Sequence, residues 1–161
     1  MPSRAVRTLA AAALTTASAN AVAATIEGQA LALINQARAS GIRCPGGGGG
    51  TRLAALRLEP RLSAAALAHA RDMGERNYLS HTGSGGSTAR GRVVLAGYQP
   101  VRMSEIIYKH SLVGHRPESP VNWWLQSPVH CRAIMNPHYS SIGIGYWARG
   151  RSWTAVLASS N

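Results

Sequence analysis

His81 stands in "SHTGSGGST" and Glu105 in "SEII", while His130, Cys131 and His138 crowd into "SPVHCRAIMNPHYSSIGIGYW", from Ser127 to Trp147. Imidazole carries a lone pair at neutral pH and exchanges a proton there, so it serves as a base or as a metal ligand. Two neutral imidazoles with one carboxylate suit zinc or another divalent cation, with a fourth position open. Serine beside histidine and glutamate is the set of nucleophilic catalysis. No GxSxG turn and no HExxH helix occurs, and neither Ser80 nor Ser104 has a context that would expose a nucleophile. The histidines also admit a purely structural reading, in which they hydrogen-bond Glu105 and hold helices to a sheet. Spacing decides nothing here, because the residues lie on separate segments and only the fold can gather them.

The helices and strands around these residues leave local marks in the sequence. Ile26, Ala30, Ile34 and Ala37 recur at helical spacing from Thr25 to Ser40, and Gly41 follows as a stop. Cys44-Pro45 and five glycines, Gly46 to Gly50, then predict a mobile surface loop. Pro60 suits the first turn of a second helix with the stripe Leu62, Ala66, His69, Ala70, Met73 and Asn77. His69 on that stripe reads as a packing residue. The glycine-rich run carrying His81 reads as a loop leading to a short helix around Arg90 to Ala96.

"VRMSEIIYKH" alternates as a strand, with Met103, Glu105 and Ile107 on one face and Ser104, Ile106 and Tyr108 on the other. A carboxylate on a half-buried strand needs a cationic or donor partner. Pro117 to Ser127 predicts a helix through the tryptophan pair. Ser127 N-caps the next, which starts at Pro128 and stops at Asn136-Pro137. Tyr139 to Trp147 and Ser152 to Ala158 read as two strands joined by a tight turn at Arg149-Gly150. Helices on a small antiparallel sheet is an α+β layered design.

With 161 residues the chain is long enough to bury one core. Arg4 and Arg7, the apolar run Leu9 to Leu14 and the small residues Ala21 to Ala23 have the layout of a secretory signal peptide over residues 1–23, leaving one domain over 24–161. That run is too short to span a bilayer, and no cysteine follows it as a lipoprotein anchor would require. The formal charge is +11, almost all from arginine, with Lys109 the only lysine. The arginines are scattered and form no run of like charge, which argues against a dedicated nucleic-acid site. Their excess suits attachment to an anionic surface, such as lipid or polymer of the cell envelope. Cys44 and Cys131 are the two cysteines, and neither has a CxxC neighbour for a metal. A disulfide between them would close a loop of almost ninety residues and contribute about 4 kcal/mol in the chain-entropy model.

Taken together, "SHTGSGGST", "SEII" and "SPVHCRAIMNPHYSSIGIGY" resemble motifs of the cysteine-rich secretory, antigen 5 and pathogenesis-related superfamily, in its secreted bacterial branch. "LINQARAS" and "LEPRLSAAALAHARDM" are similar to that family's first two helices, so the resemblance covers about residues 26–158. It implies a three-layer α-β-α sandwich and supports the Cys44–Cys131 pairing. It implies a ligand-binding cleft formed by His81, Glu105, His138 and His130, with Ser127 where the family has a second acid. It also implies lipid or divalent-metal ligands, the metal held by His81 and His138. Gly85, Ser104, Ile106, Val129 and Ala133 depart from the family's usual residues, and the polar lining of the cleft is thinner for it. The expectation is a secreted, periplasmic or extracellular binding module without catalysis, the alternative being a hydrolase using Ser, His and Glu in the same cleft.

Overall fold

The computed structural model describes residues 21–22, 24–111 and 116–160. The expected leader, residues 1–23, lies outside them but for residues 21–22. Among the described residues the elements run in the order α1 (Ile26–Ser40), β1 (Arg57–Leu58), α2 (Pro60–Glu75), α3 (Ala89–Leu95), β2 (Arg102–Lys109), α4 (Glu118–Gln126), α5 (Pro128–Ile134), β3 (Ser141–Trp147) and β4 (Ser152–Ser159). The sheet runs β1-β3-β4-β2, antiparallel except for the short parallel pairing of β1 with β3. That parallel strand corrects the all-antiparallel expectation. It is two exposed residues with no alternation, so the sequence carried no strand signal there.

Local chemistry sets the helix ends. Thr25 caps α1 by accepting from the Gly28 N–H at 3.0 Å, and Gly41 ends it at φ 65°. Thr88 caps α3 through the Gly91 N–H at 3.0 Å. Helix α2 buries Leu62, Ala65, Ala66, His69, Ala70 and Met73 and stops before the exposed Asn77, whose φ is 56°.

Helices α2 and α3 cover one sheet face; α1, α4 and α5 cover the other. Ile142, Ile144 and Tyr146 of β3 and Trp153, Ala155 and Leu157 of β4 face the second group with Ile34, Trp124 and Ile134. On the first face β3 presents Gly143 and Gly145. A Cβ at Gly143 would lie 2.0 Å from the Leu62 carbonyl carbon, and one at Gly145 2.2 Å from the Leu67 nitrogen. Helix α2 therefore rests directly on the strand backbone, and the alternation of "IGIG" is the imprint of that contact.

Two features fasten the α1 side. Arg38, wholly buried, donates to four carbonyls: Ala54 at 2.9 Å, Ile134 at 2.6 Å, Asn136 at 3.1 Å and Tyr139 at 3.3 Å. Cys44 and Cys131 form the disulfide, with Cα atoms 5.6 Å apart. The pentaglycine run is a closed turn rather than the expected mobile loop. Cys44 N–H donates to Gly48 O at 2.9 Å, Gly50 N–H to Ile42 O at 2.7 Å, and Arg43 bridges Gly49. All five glycines have positive φ, the region where a side chain is strained.

Candidate functional site

Strand β2 lies at one edge of the sheet, and Glu105 sits near its middle. Its side chain is 3% exposed. Its partners come from three elements. Arg92 of α3 donates Nη2–H to Oε2 at 2.7 Å; His81 of the loop after α2 donates Nδ1–H to Oε1 at 3.0 Å; His69 of α2 has Nε2 3.8 Å from Oε1. Burial alone would raise the Glu105 carboxyl, but the hydrogen bonds from His81 and Arg92 and the charge of Arg92 outweigh it and hold it below its ordinary value. Glu105 is therefore a carboxylate at neutral pH. A carboxylate only accepts, so His81 carries its proton on Nδ1, and in the neutral ring Nε2 has the lone pair.

The loop bearing His81 is held from below. Asp72 of α2 accepts from the Ser84 N–H at 2.8 Å, the Ser84 hydroxyl at 2.6 Å, the Arg76 guanidinium at 2.9 Å and the Tyr78 hydroxyl. Desolvation opposes ionisation of Asp72, but these donors prevail and keep its carboxyl well below the usual carboxylate range. Arg92 also donates to the His81 carbonyl at 3.0 Å and to the Ser87 carbonyl at 3.0 Å, so one guanidinium fixes the carboxylate and the loop together. Buried His69 donates Nε2–H to the Ser80 carbonyl at 2.8 Å, one residue before His81. Burial depresses its pKa, and Nδ1 has no hydrogen-bond partner among the described residues.

Across the edge of β2, α5 brings His130. Its Nδ1 is 2.7 Å from the Ser127 hydroxyl, which explains why Ser127, although the N-cap residue, makes no side-chain cap. Burial depresses the His130 pKa, and the nearby His81 lowers it further. Between the two rings lies a hollow of about 280 Å³ lined by His81, Ser104, Glu105, Val129, His130 and Arg132, among others.

The expected grouping is thus altered. His138 is exposed on the turn after α5, where its N–H donates to Asn136 Oδ1 at 2.9 Å, and it is absent from the lining of the hollow. That Asx turn carries the ring outward, and Arg92 and His69 fill the space around Glu105. Ser127 stands behind His130 rather than in the lining. Among the described residues no three His, Cys, Asp or Glu side chains are grouped to hold a metal unaided, so the expected triad of His81, His138 and Glu105 does not form. Sequence reasoning required a cationic or donor partner for Glu105 but could not select Arg92 from so many arginines. It read His69 as packing and missed its hold on the His81 loop.

The model of the cysteine-rich secretory protein family matches residues 31–158. The uncharacterized protein YkwD of Bacillus subtilis is 30% identical over 99 residues, 62% of this chain and 37% of the relative's length. The chain thus spans well under half of that relative. Among solved structures, an outer surface protein of Borrelia burgdorferi superposes with a TM-score of 0.68 at 19% identity, covering 86% of this chain and 96% of that one. An extracellular protein of Bacillus anthracis containing an SCP domain gives a TM-score of 0.61 at 20% identity, over 67% of this chain and 35% of that one. At such identities these two structures speak for the fold.

Proposed function

This chain belongs to the cysteine-rich secretory protein family, and from that premise we propose that it is a secreted, non-catalytic binding module whose hollow takes a divalent cation between His81 and His130. The observation that carries this reading is the His81–Glu105 hydrogen bond. A histidine that ligates metal typically donates its other ring N–H to a carboxylate, which fixes tautomer and orientation and raises ligand basicity. His81 has that arrangement. His130 has a hydroxyl in the corresponding place, and its depressed pKa favours the neutral, ligating ring. Two protein ligands leave the remaining positions of a zinc-like ion to water or to an outside ligand, so a bound cation would supply a Lewis-acidic anchor for that ligand. The hollow is lined by polar His81, Ser104, Glu105, His130 and Arg132 and by apolar Ile106, Val129 and Ala133, which suits a ligand with both polar and apolar parts.

Secretion draws on the family and on the relatives described as extracellular and outer-surface proteins. No helix among the described residues is long and apolar enough to cross a membrane. N-terminal sequencing of the exported protein tests it: a mature start near residue 24 supports the reading, and an intact Met1 contradicts it.

A hydrolytic reading has one observation in its favour, the contact between Ser127 and His130. It is the weaker because Ser127 lies outside the hollow and both oxygens of Glu105 are engaged by His81 and Arg92.

Calorimetric titration of metal-free protein with zinc chloride tests the site. One equivalent binds, His81→Ala and His130→Ala each weaken binding at least about tenfold, and His138→Ala leaves it unchanged. Absence of binding, or equal loss in His138→Ala, contradicts the assignment. Turnover of an ester panel that disappears in Ser127→Ala would establish the hydrolytic alternative instead.

A further inference from the structure

The tandem tryptophans of α4 have opposite fates. Trp124 is wholly buried and donates Nε1–H to the Ile107 carbonyl at 3.0 Å, which fixes the helix against β2. Trp123, one position back, is 45% exposed. It is not loose, because its ring packs against Tyr108 (centroids 5.6 Å apart) and His130 (5.0 Å) in tilted contacts. Tyr108 in turn meets His110 at 4.9 Å. A continuous ladder, His130–Trp123–Tyr108–His110, therefore runs over the β2 edge.

The ladder joins two hollows. At one end His130 lines the site already described, beside Arg132 and the exposed Val129. At the other, His110 lines a second hollow of about 330 Å³ with Tyr78, Leu79 and Lys109. Each hollow carries a cation. Among the described residues the ion pairs engage Arg61, Arg71, Arg76 and Arg92, but neither Arg132 nor Lys109. Lys109 instead donates to Asn77 Oδ1 at 2.6 Å.

We propose that this edge is a docking track for an acidic polysaccharide strand, with one sugar ring stacked on Trp123 and carboxylates of flanking sugars held by Arg132 and Lys109. The aliphatic C–H face of a pyranose carries partial positive charge and meets the negative face of the indole. A ring already immobilised by its neighbours loses little further side-chain freedom on binding. Without Arg4 and Arg7 of the expected leader the formal charge is still +9, which complements an anionic polymer and repels a cationic one. Nucleic acid fits less well: the ladder rings meet at 47–80° and so do not offer parallel faces to successive bases. The proposal goes beyond the cation site and does not need it.

Calorimetry and tryptophan fluorescence with an oligogalacturonate octamer, in EDTA so that a failed cation site cannot interfere, provide the test. Malto-octaose serves as the neutral comparator and a thymidine oligonucleotide as the nucleic-acid arm. The acidic octamer binds, weakens with salt, and binds at least about tenfold more tightly than malto-octaose. Trp123→Ala weakens it about tenfold with an unchanged circular dichroism spectrum, whereas Trp123→Tyr, which keeps a stacking face, stays within about threefold. Arg132→Ala and Lys109→Ala each weaken binding and flatten its salt dependence. No binding of the octamer, equal loss in both Trp123 variants, full binding by Trp123→Ala, or tighter binding of the oligonucleotide would overturn the proposal.

Discussion

Arg92 bonds Glu105, the His81 carbonyl and the Ser87 carbonyl at once. Removing one partner of a buried pair leaves an uncompensated charge, which costs about 3–5 kcal/mol. Arg92→Met is therefore expected to lose stability of that order in urea unfolding, and Glu105→Gln, which keeps the shape and removes the charge, to lose less. A loss under about 1 kcal/mol in Arg92→Met would contradict the pairing. His69 makes a separate prediction. Glu105, Arg92 and Asp72 face it, and burial, the largest influence, depresses its pKa below the unfolded value. A base with a lowered folded pKa binds more protons unfolded, so its contribution is present above about pH 6.5 and is lost as pH falls below that. The melting temperature of wild type should fall between about pH 7 and pH 5, and His69→Gln should flatten that slope. Of this cluster the sequence disclosed His81, Glu105 and the need for a cationic or donor partner. Arg92 was not legible, because its pairing depends on how α3 folds back over β2, a contact that no local pattern records.

At the scale of elements, the contact of α2 with β3 depends on two hydrogens. Gly143→Ala would force a methyl to within 2.0 Å of helix backbone, where no rotamer change relieves it. The expected loss is about 3 kcal/mol, at the upper end for overpacking, read as a lowered urea midpoint. Equal stability would mean that the helix can move away. Arg38 ties α1 to the turn after α5 through carbonyls alone. Arg38→Met leaves those acceptors without a donor and is expected to cost about 2–4 kcal/mol, with Arg38→Lys intermediate. Helices α1 to α5 and strands β2 to β4 were legible because caps, prolines and alternation mark them locally. β1 was not, for it exists only through its pairing with β3. The glycine run misled because composition reports chain freedom, whereas the turn is set by hydrogen bonds to Ile42 and Cys44 and by the disulfide.

Across the whole molecule the site is an assembly of layers. One helical layer supplies His69, Arg92 and the His81 loop, the edge strand supplies Glu105, and the opposite layer supplies His130 on a helix pinned by Cys131. Cys44→Ser with Cys131→Ser is expected to cost about 4 kcal/mol and to loosen the His130 side of the hollow before the His81 side. Hydrogen exchange checks this, with faster exchange in α5 than in α2 as the predicted pattern. The layered α+β architecture was legible because its motifs occur in order along the chain. The placement of His138 was not, since one Asx turn decides whether its ring faces the hollow or the solvent. Anomalous diffraction at the zinc edge from crystals soaked in zinc chloride decides whether the two imidazoles share a cation. A peak within bonding distance of Nε2 of both His81 and His130 is expected; a peak at His138 alone, or none in the hollow, would contradict the assignment.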